Sequence, residues 1–178
     1  MSPPIFVTGP QRSGTTIAAV IKAADLNLDF IDELDFIIGR NYDNCVIQSP
    51  NALEYYLNIH HVYPDSFFFV MNRPRDEIIQ SMKRINWLRD DVYDWEAFLN
   101  DYVDQKISRC KELLSYLPSQ SMQIAYHSLS DHRLFVTDRT EFTSKQWKPG
   151  VPRGPKYWAN NLQCILQSYE RRTEVTAG

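Results

Sequence analysis

The stretch Ile5-Phe6-Val7-Thr8-Gly9-Pro10-Gln11-Arg12-Ser13-Gly14-Thr15-Thr16 decides how this chain is read. Ile5-Phe6-Val7 is a short apolar run that meets Gly9-Pro10, the pattern of a buried strand entering a tight loop. Thr16 to Ala24 then reads as a helix, apolar throughout except for Lys22. Gly9 and Gly14 let the backbone wrap closely around an anion. The helix N-terminus that follows adds free N–H groups and the positive end of a dipole. Gln11, Arg12, Ser13, Gly14, Thr15 and Thr16 are therefore the candidate anion-binding residues, with Thr15 and Thr16 supplying hydroxyl donors.

Working outward, Leu28–Ile31 and Cys45–Ile47 are short strand candidates, the second stopped by Ser49-Pro50. Phe67–Met71 is a continuous apolar run, typical of a central parallel strand covered on both faces. Gln123–Tyr126 reads as one more strand. Helices are expected over 51–62, from Pro74 to about Ile85, over 95–117 and over 157–171. This alternation predicts an α/β domain with a mainly parallel central sheet flanked by helices. The irregular, polar stretch 131–155 suits either a functional loop or lid, or a plain surface excursion.

The chain has 178 residues, the size of one ordinary domain, so a single domain over 1–178 is expected. With 43% hydrophobic and 23% charged residues, composition excludes disordered, collagenous and coiled-coil classes. A net charge of −3 argues against a general nucleic-acid coat but leaves a local anion site open. No apolar run is long enough to span a bilayer. The N-terminus has neither a basic region nor a small-residue cleavage site, so no signal peptide and a cytoplasmic location are expected. Cys45, Cys110 and Cys164 are widely spaced and form no CxxC or Cys/His cluster, which suggests neither a zinc site nor a disulfide framework.

The spacing of Gly9 and Gly14 resembles the strand–GxxxxGK[ST]–helix loop of nucleotide-binding proteins, except that Thr15 stands where the lysine belongs. Kinases and NTPases use that lysine on the β- and γ-phosphates, so its absence counts against a nucleoside or nucleotide kinase, the rival enzyme reading. Pro10-Gln11-Arg12-Ser13-Gly14-Thr15-Thr16 instead resembles the 5′-phosphosulfate loop of sulfotransferases that use PAPS (3′-phosphoadenosine 5′-phosphosulfate), with one extra residue between Pro and Arg. A second stretch, Asn72-Arg73-Pro74-Arg75 onward, is similar to the family's 3′-phosphate motif, in which a strand ends in Arg and a Ser follows eight positions later. Arg73 and Ser81 match that spacing. The competing reading has Arg73 and Arg75 simply pairing with Asp76 or Glu77.

The resemblance implies a P-loop NTPase-like three-layer fold, PAPS as cofactor with PAP as its product, no metal, and a small-molecule or peptide acceptor. It implies that Arg153-Gly154, aided by Lys148, closes over the 3′-phosphate and adenine, and that Arg12 acts on the transferring group. Trp147, Tyr157 and Trp158 are candidates either for stacking on adenine or for packing. In the protein-tyrosine-type members a Gly-Glu-Glu segment holds the base, and counting from Gly9 that position is Glu33, with Asp32 and Asp35 behind it. The cytosolic members use a histidine in a Lys-Thr-His loop. The matching loop here, Gln48-Ser49-Pro50-Asn51, has none, and His60 and His61 fall later on a helix. Gln48 also stands where many members place a lysine that contacts the sulfuryl group, so another cation, Arg40 or Lys148, must substitute if turnover is full. The non-enzyme alternative is a PAP-binding module that keeps both phosphate sites without turnover.

Overall fold

A computed structural model describes residues 2–135. The helix expected over 157–171 and nearly all of the irregular stretch 131–155 lie outside them. Five strands form one wholly parallel sheet in the order β2-β3-β1-β4-β5. They are β1 (Ile5–Thr8), β2 (Asp29–Ile31), β3 (Cys45–Gln48), β4 (Phe67–Asn72) and β5 (Ser121–Ala125). The helices are α1 (Thr15–Leu26), α2 (Ala52–Val62), α3 (Arg75–Arg84) and α4 (Trp95–Tyr116).

Strand alternation sorts the apolar residues into two cores, one on each face of the sheet. Phe6, Ile47, Phe68 and Val70 turn to one face and pack with Leu53, Tyr56 and Ile59 of α2 and with Cys110 and Leu113 of α4. Val7, Val46 and Met71 turn to the other face, against Ile17, Ala18 and Ile21 of α1. A third cluster joins α3 to α4 through Ile78, Met82, Phe98, Leu99 and Tyr102. The result is a three-layer α/β domain in which the central strands are covered on both faces, as continuous apolar runs require.

The elements start and stop where local chemistry requires. Gly14 caps α1 in the left-handed region at φ 95°, and Asn27 closes that helix in the same region. The Asp94 side chain accepts a bond of 3.1 Å from the Ala97 N–H and so caps α4. The expected last strand, 123–126, lies two residues earlier at its start: Ser121 and Met122 pair with Phe68 and Phe69, and Tyr126 already belongs to a 3-10 turn, Tyr126–Leu129. Among the described residues no helix is long and apolar enough to cross a membrane.

The topology positions the site. Strands β1 and β3 are neighbours, yet the helices that follow them pack on opposite faces. The chain therefore parts at their carboxyl ends and leaves a crevice between the start of α1 and the start of α2, where open α/β sheets take their ligands.

Candidate functional site

The Gly9–Thr16 loop opens at that crevice. Gly9 (φ 148°) lies so close to β4 that a Cβ there would come within 2.9 Å of the Met71 Cβ. A Cβ on Gly14 would stand 2.5 Å from the Tyr126 Cδ2. Both positions thus exclude a side chain by space as well as by backbone conformation. Arg12 holds a left-handed conformation with φ 67°, uncommon for a residue with a side chain. Ser13 shapes the loop internally: its N–H and its hydroxyl both donate to the Pro10 carbonyl, at 3.1 and 2.6 Å. Its hydroxyl is thereby committed to the loop. The backbone N–H groups of Gly14, Thr15 and Thr16 have no acceptor among the described residues. With the α1 dipole behind them, they are placed where negative charge would be favoured.

Arg73 and Ser81, distant in sequence, converge on this loop. The Arg12 Nε donates to the Ser81 Oγ at 3.2 Å, and the Arg73 Nη1 donates to the Arg12 carbonyl at 3.0 Å. Both thus contact Arg12, Arg73 at its backbone carbonyl and Ser81 at its side chain. Arg73 also stacks over Tyr126, 4.1 Å from the ring centroid, and pairs with Glu77 at 3.0 Å. The pairing reading for the two arginines is met as well, since Arg75 binds Asp104 at 2.6 Å and Asp76 at 3.6 Å. His127 Nε2 lies 2.8 Å from the other Glu77 oxygen, and together with Arg73 it holds that carboxyl below its ordinary pKa. Arg153 and Gly154, like Lys148, Trp147, Tyr157 and Trp158, lie outside the described residues.

Glu33 approaches from the segment after β2. Its Oε1 accepts from the Ser49 Oγ at 3.2 Å and from the Asn51 N–H at 3.1 Å, which fixes it at the corner between β3 and α2. Burial raises its pKa from 4.5 to about 7, and neighbouring Asp32 pushes the same way. The bonds from Asn51 and Ser49 and the charge of Lys106 oppose the rise without cancelling it. Of its rivals, Asp32 is buried and accepts from the Leu34 N–H at 3.2 Å, whereas Asp35 is exposed. A carboxyl group poised near neutrality is suited to take a proton.

Gln48, 3% exposed, donates a long bond of 3.4 Å from Nε2 to the Thr15 Oγ1, and its Oε1 has no partner among the described residues. Arg40, one of the two substitutes suggested for the missing lysine, lies on an exposed loop. A different cation stands close to Glu33. Lys106 of α4 is almost wholly buried and binds the Glu54 Oε1 at 2.5 Å, with Glu54 equally buried. Burial lowers the Lys106 pKa to about 8, and the nearby Glu33 charge works against that fall.

Sequence reasoning missed Tyr126 as a contact of Arg73, the Glu77–His127 pair behind it, and Lys106, Glu54 and Tyr102. Glu77 and His127 are fifty residues apart, so no local spacing marks that pair. Nothing local marks Lys106 or Tyr102, because their meaning arises only when α4 docks. No protein-family model matches the chain, and no curated protein matches it.

Proposed function

We propose that the chain is a sulfotransferase that transfers a sulfuryl group from PAPS to a hydroxyl or amine acceptor, with PAP as the second product. One observation supports it above others. Arg12, Arg73 and Ser81 meet at the N-terminus of α1, and a carboxyl group that titrates near neutrality, Glu33, stands at the same end of the sheet. The residues present fit a cofactor with two separate anionic groups. The loop N–H groups and Arg12 suit one group, and the positive charge of Arg73 with the Ser81 hydroxyl suits the other, Glu77 and the Arg12 carbonyl holding the Arg73 Nε and Nη1 until it binds. The buried Gln11 Nε2 lacks a partner among the described residues, which is consistent with a bound oxygen completing the loop.

PAPS supplies the sulfuryl group and a phosphate leaving group. The work of the chain is to hold, orient and move a proton. Glu33, ionised above about pH 7, removes the acceptor proton. Arg12 and the free N–H groups of the loop stabilise negative charge as it builds, without reorganising. Tyr126 holds Arg73 in plane against the loop.

The second reading, a PAP-binding module without turnover, is favoured by one feature. Gln48 brings no charge to the loop, and the nearby cation Lys106 is already engaged by Glu54. A labelled-sulfate transfer assay with PAPS over phenols, sugars, peptides and amines separates the two. Turnover that is abolished in Glu33→Gln supports the enzyme. PAP binding with no transfer to any acceptor supports the module. Thermal stabilisation by ATP–Mg²⁺ with none by PAP overturns both in favour of a kinase.

A further inference from the structure

Tyr102 lies on α4, which carries none of the motifs read from the sequence. Its ring is fixed among aromatic neighbours, with centroids 4.9 Å from Trp87 and 5.9 Å from Phe98, and the residue is 4% exposed. The hydroxyl faces the backbone N–H of Gln11 in the Gly9–Thr16 loop, and the Glu33 charge is also close by. It nevertheless completes no hydrogen bond among the described residues. A buried hydroxyl with no partner is costly, and a phenylalanine would fill the same stack without that cost.

The same condition recurs at two more atoms of this corner. Gln11 Nε2, within the loop, and Gln48 Oε1, whose amide leans on Thr15, are also buried without partners among the described residues. Gln48 leans on Thr15 and Tyr102 faces Gln11, so these atoms lie along the loop that leads into α1, whose first N–H groups have no acceptor among the described residues. Burial raises the Tyr102 pKa far above its ordinary value, so the phenol keeps its proton and acts only as a neutral group. A neutral O–H beside a cradle of N–H groups has one natural use, donation to an anionic oxygen.

We propose that Tyr102 is a ligand-contacting residue whose hydroxyl donates to an anionic oxygen of the group bound in the Gly9–Thr16 loop, which makes α4 part of the site. The inference rests on the phosphosulfate reading of that loop and adds a residue that the reading does not contain. Because the hydroxyl is closed to solvent in the free protein, the contact forms as the loop settles around its ligand.

Tyr102→Phe tests this with little disturbance, since it removes one oxygen and leaves the ring in its stack. The melting temperature of the free variant is expected to hold or to rise by up to about 4 °C, as an orphaned hydroxyl is lost. Affinity for PAP, measured by calorimetry, is expected to fall about tenfold or more. A lower melting temperature in the free variant, or an unchanged PAP affinity, overturns the proposal. If the wild type does not bind PAP, the sulfotransferase reading fails on its own, and the same pair is compared with inorganic pyrophosphate as probe. Weaker pyrophosphate binding by Tyr102→Phe then still supports the contact. Equal binding, or none by either protein, overturns it.

Discussion

Replacing Glu33 with Gln should make the protein more stable and less active at once. Glu33 Oε1 accepts two bonds, from Ser49 and from Asn51, and an amide oxygen can accept both. What the substitution removes is the charge. In the folded state the carboxyl titrates at about 7, against 4.5 ordinarily. Between those values the folded protein holds a proton that the unfolded chain has released. Stability therefore falls as pH rises through this window, and the loss is complete above pH 7. The full difference corresponds to about 3 kcal/mol, and partial exposure of the side chain brings it nearer 2. Glu33→Gln has no such proton to lose. Its unfolding free energy should exceed that of the wild type by about 2–3 kcal/mol at pH 8, and the gap should vanish near pH 4. Sulfuryl transfer should drop by about 10²–10⁴-fold, the usual contribution of a general base. Urea denaturation followed by Trp fluorescence at several pH values reads the first effect, and the transfer assay reads the second. A stability difference that does not change with pH would refute the raised carboxyl, and unchanged turnover would refute its role as base.

Three further substitutions probe the structure around it. Lys106→Met leaves Glu54 buried without its close partner and should cost about 3–5 kcal/mol in urea unfolding, whereas Lys106→Met with Glu54→Met should recover most of that loss. Gly14→Ala places a methyl group 2.5 Å from Tyr126 at φ 95° and should destabilise by about 1–3 kcal/mol. Adding Tyr126→Ala should relieve the steric part of that cost and leave the backbone part. Glu77→Gln removes a carboxylate that competes for Arg73, and PAP binding by calorimetry should tighten about 2–5-fold; weaker binding would mean that Glu77 orients Arg73 for its ligand.

The layer architecture was readable because each strand is a short apolar run between turn residues. Phe67–Met71 needed only Asn72 added, and Cys45–Ile47 only Gln48. Strand β5 was harder, since Ser121 and Met122 are held by pairing with β4 rather than by their own character. The loop was readable for a different reason. Positive φ at Gly9 and Gly14 leaves a mark in the residue types themselves, and so does an arginine at the end of a strand. Spacing singled out Ser81 together with Arg73, but it did not indicate the bond with Arg12, which depends on how α3 lies beside the loop. Lys106 and Glu54 look like ordinary helix charges in sequence, yet both are buried against each other. Charge alone does not reveal which face of a long helix will be covered. Tyr102 reads as core for the same reason, and its ring is core; only its oxygen departs from that role.

The central claim is that two anion sites, the α1 loop and the Arg73–Ser81 pair, recognise a nucleotide phosphorylated at both the 3′ and 5′ positions. Calorimetric titration of the wild type and of Arg73→Ala with PAP and with ADP, which places both phosphates at the 5′ end, tests it directly. The wild type should bind PAP at least about tenfold more tightly than ADP, and Arg73→Ala should lose that preference. Equal affinity of the wild type for the two nucleotides, or a preference that survives in Arg73→Ala, would contradict the account.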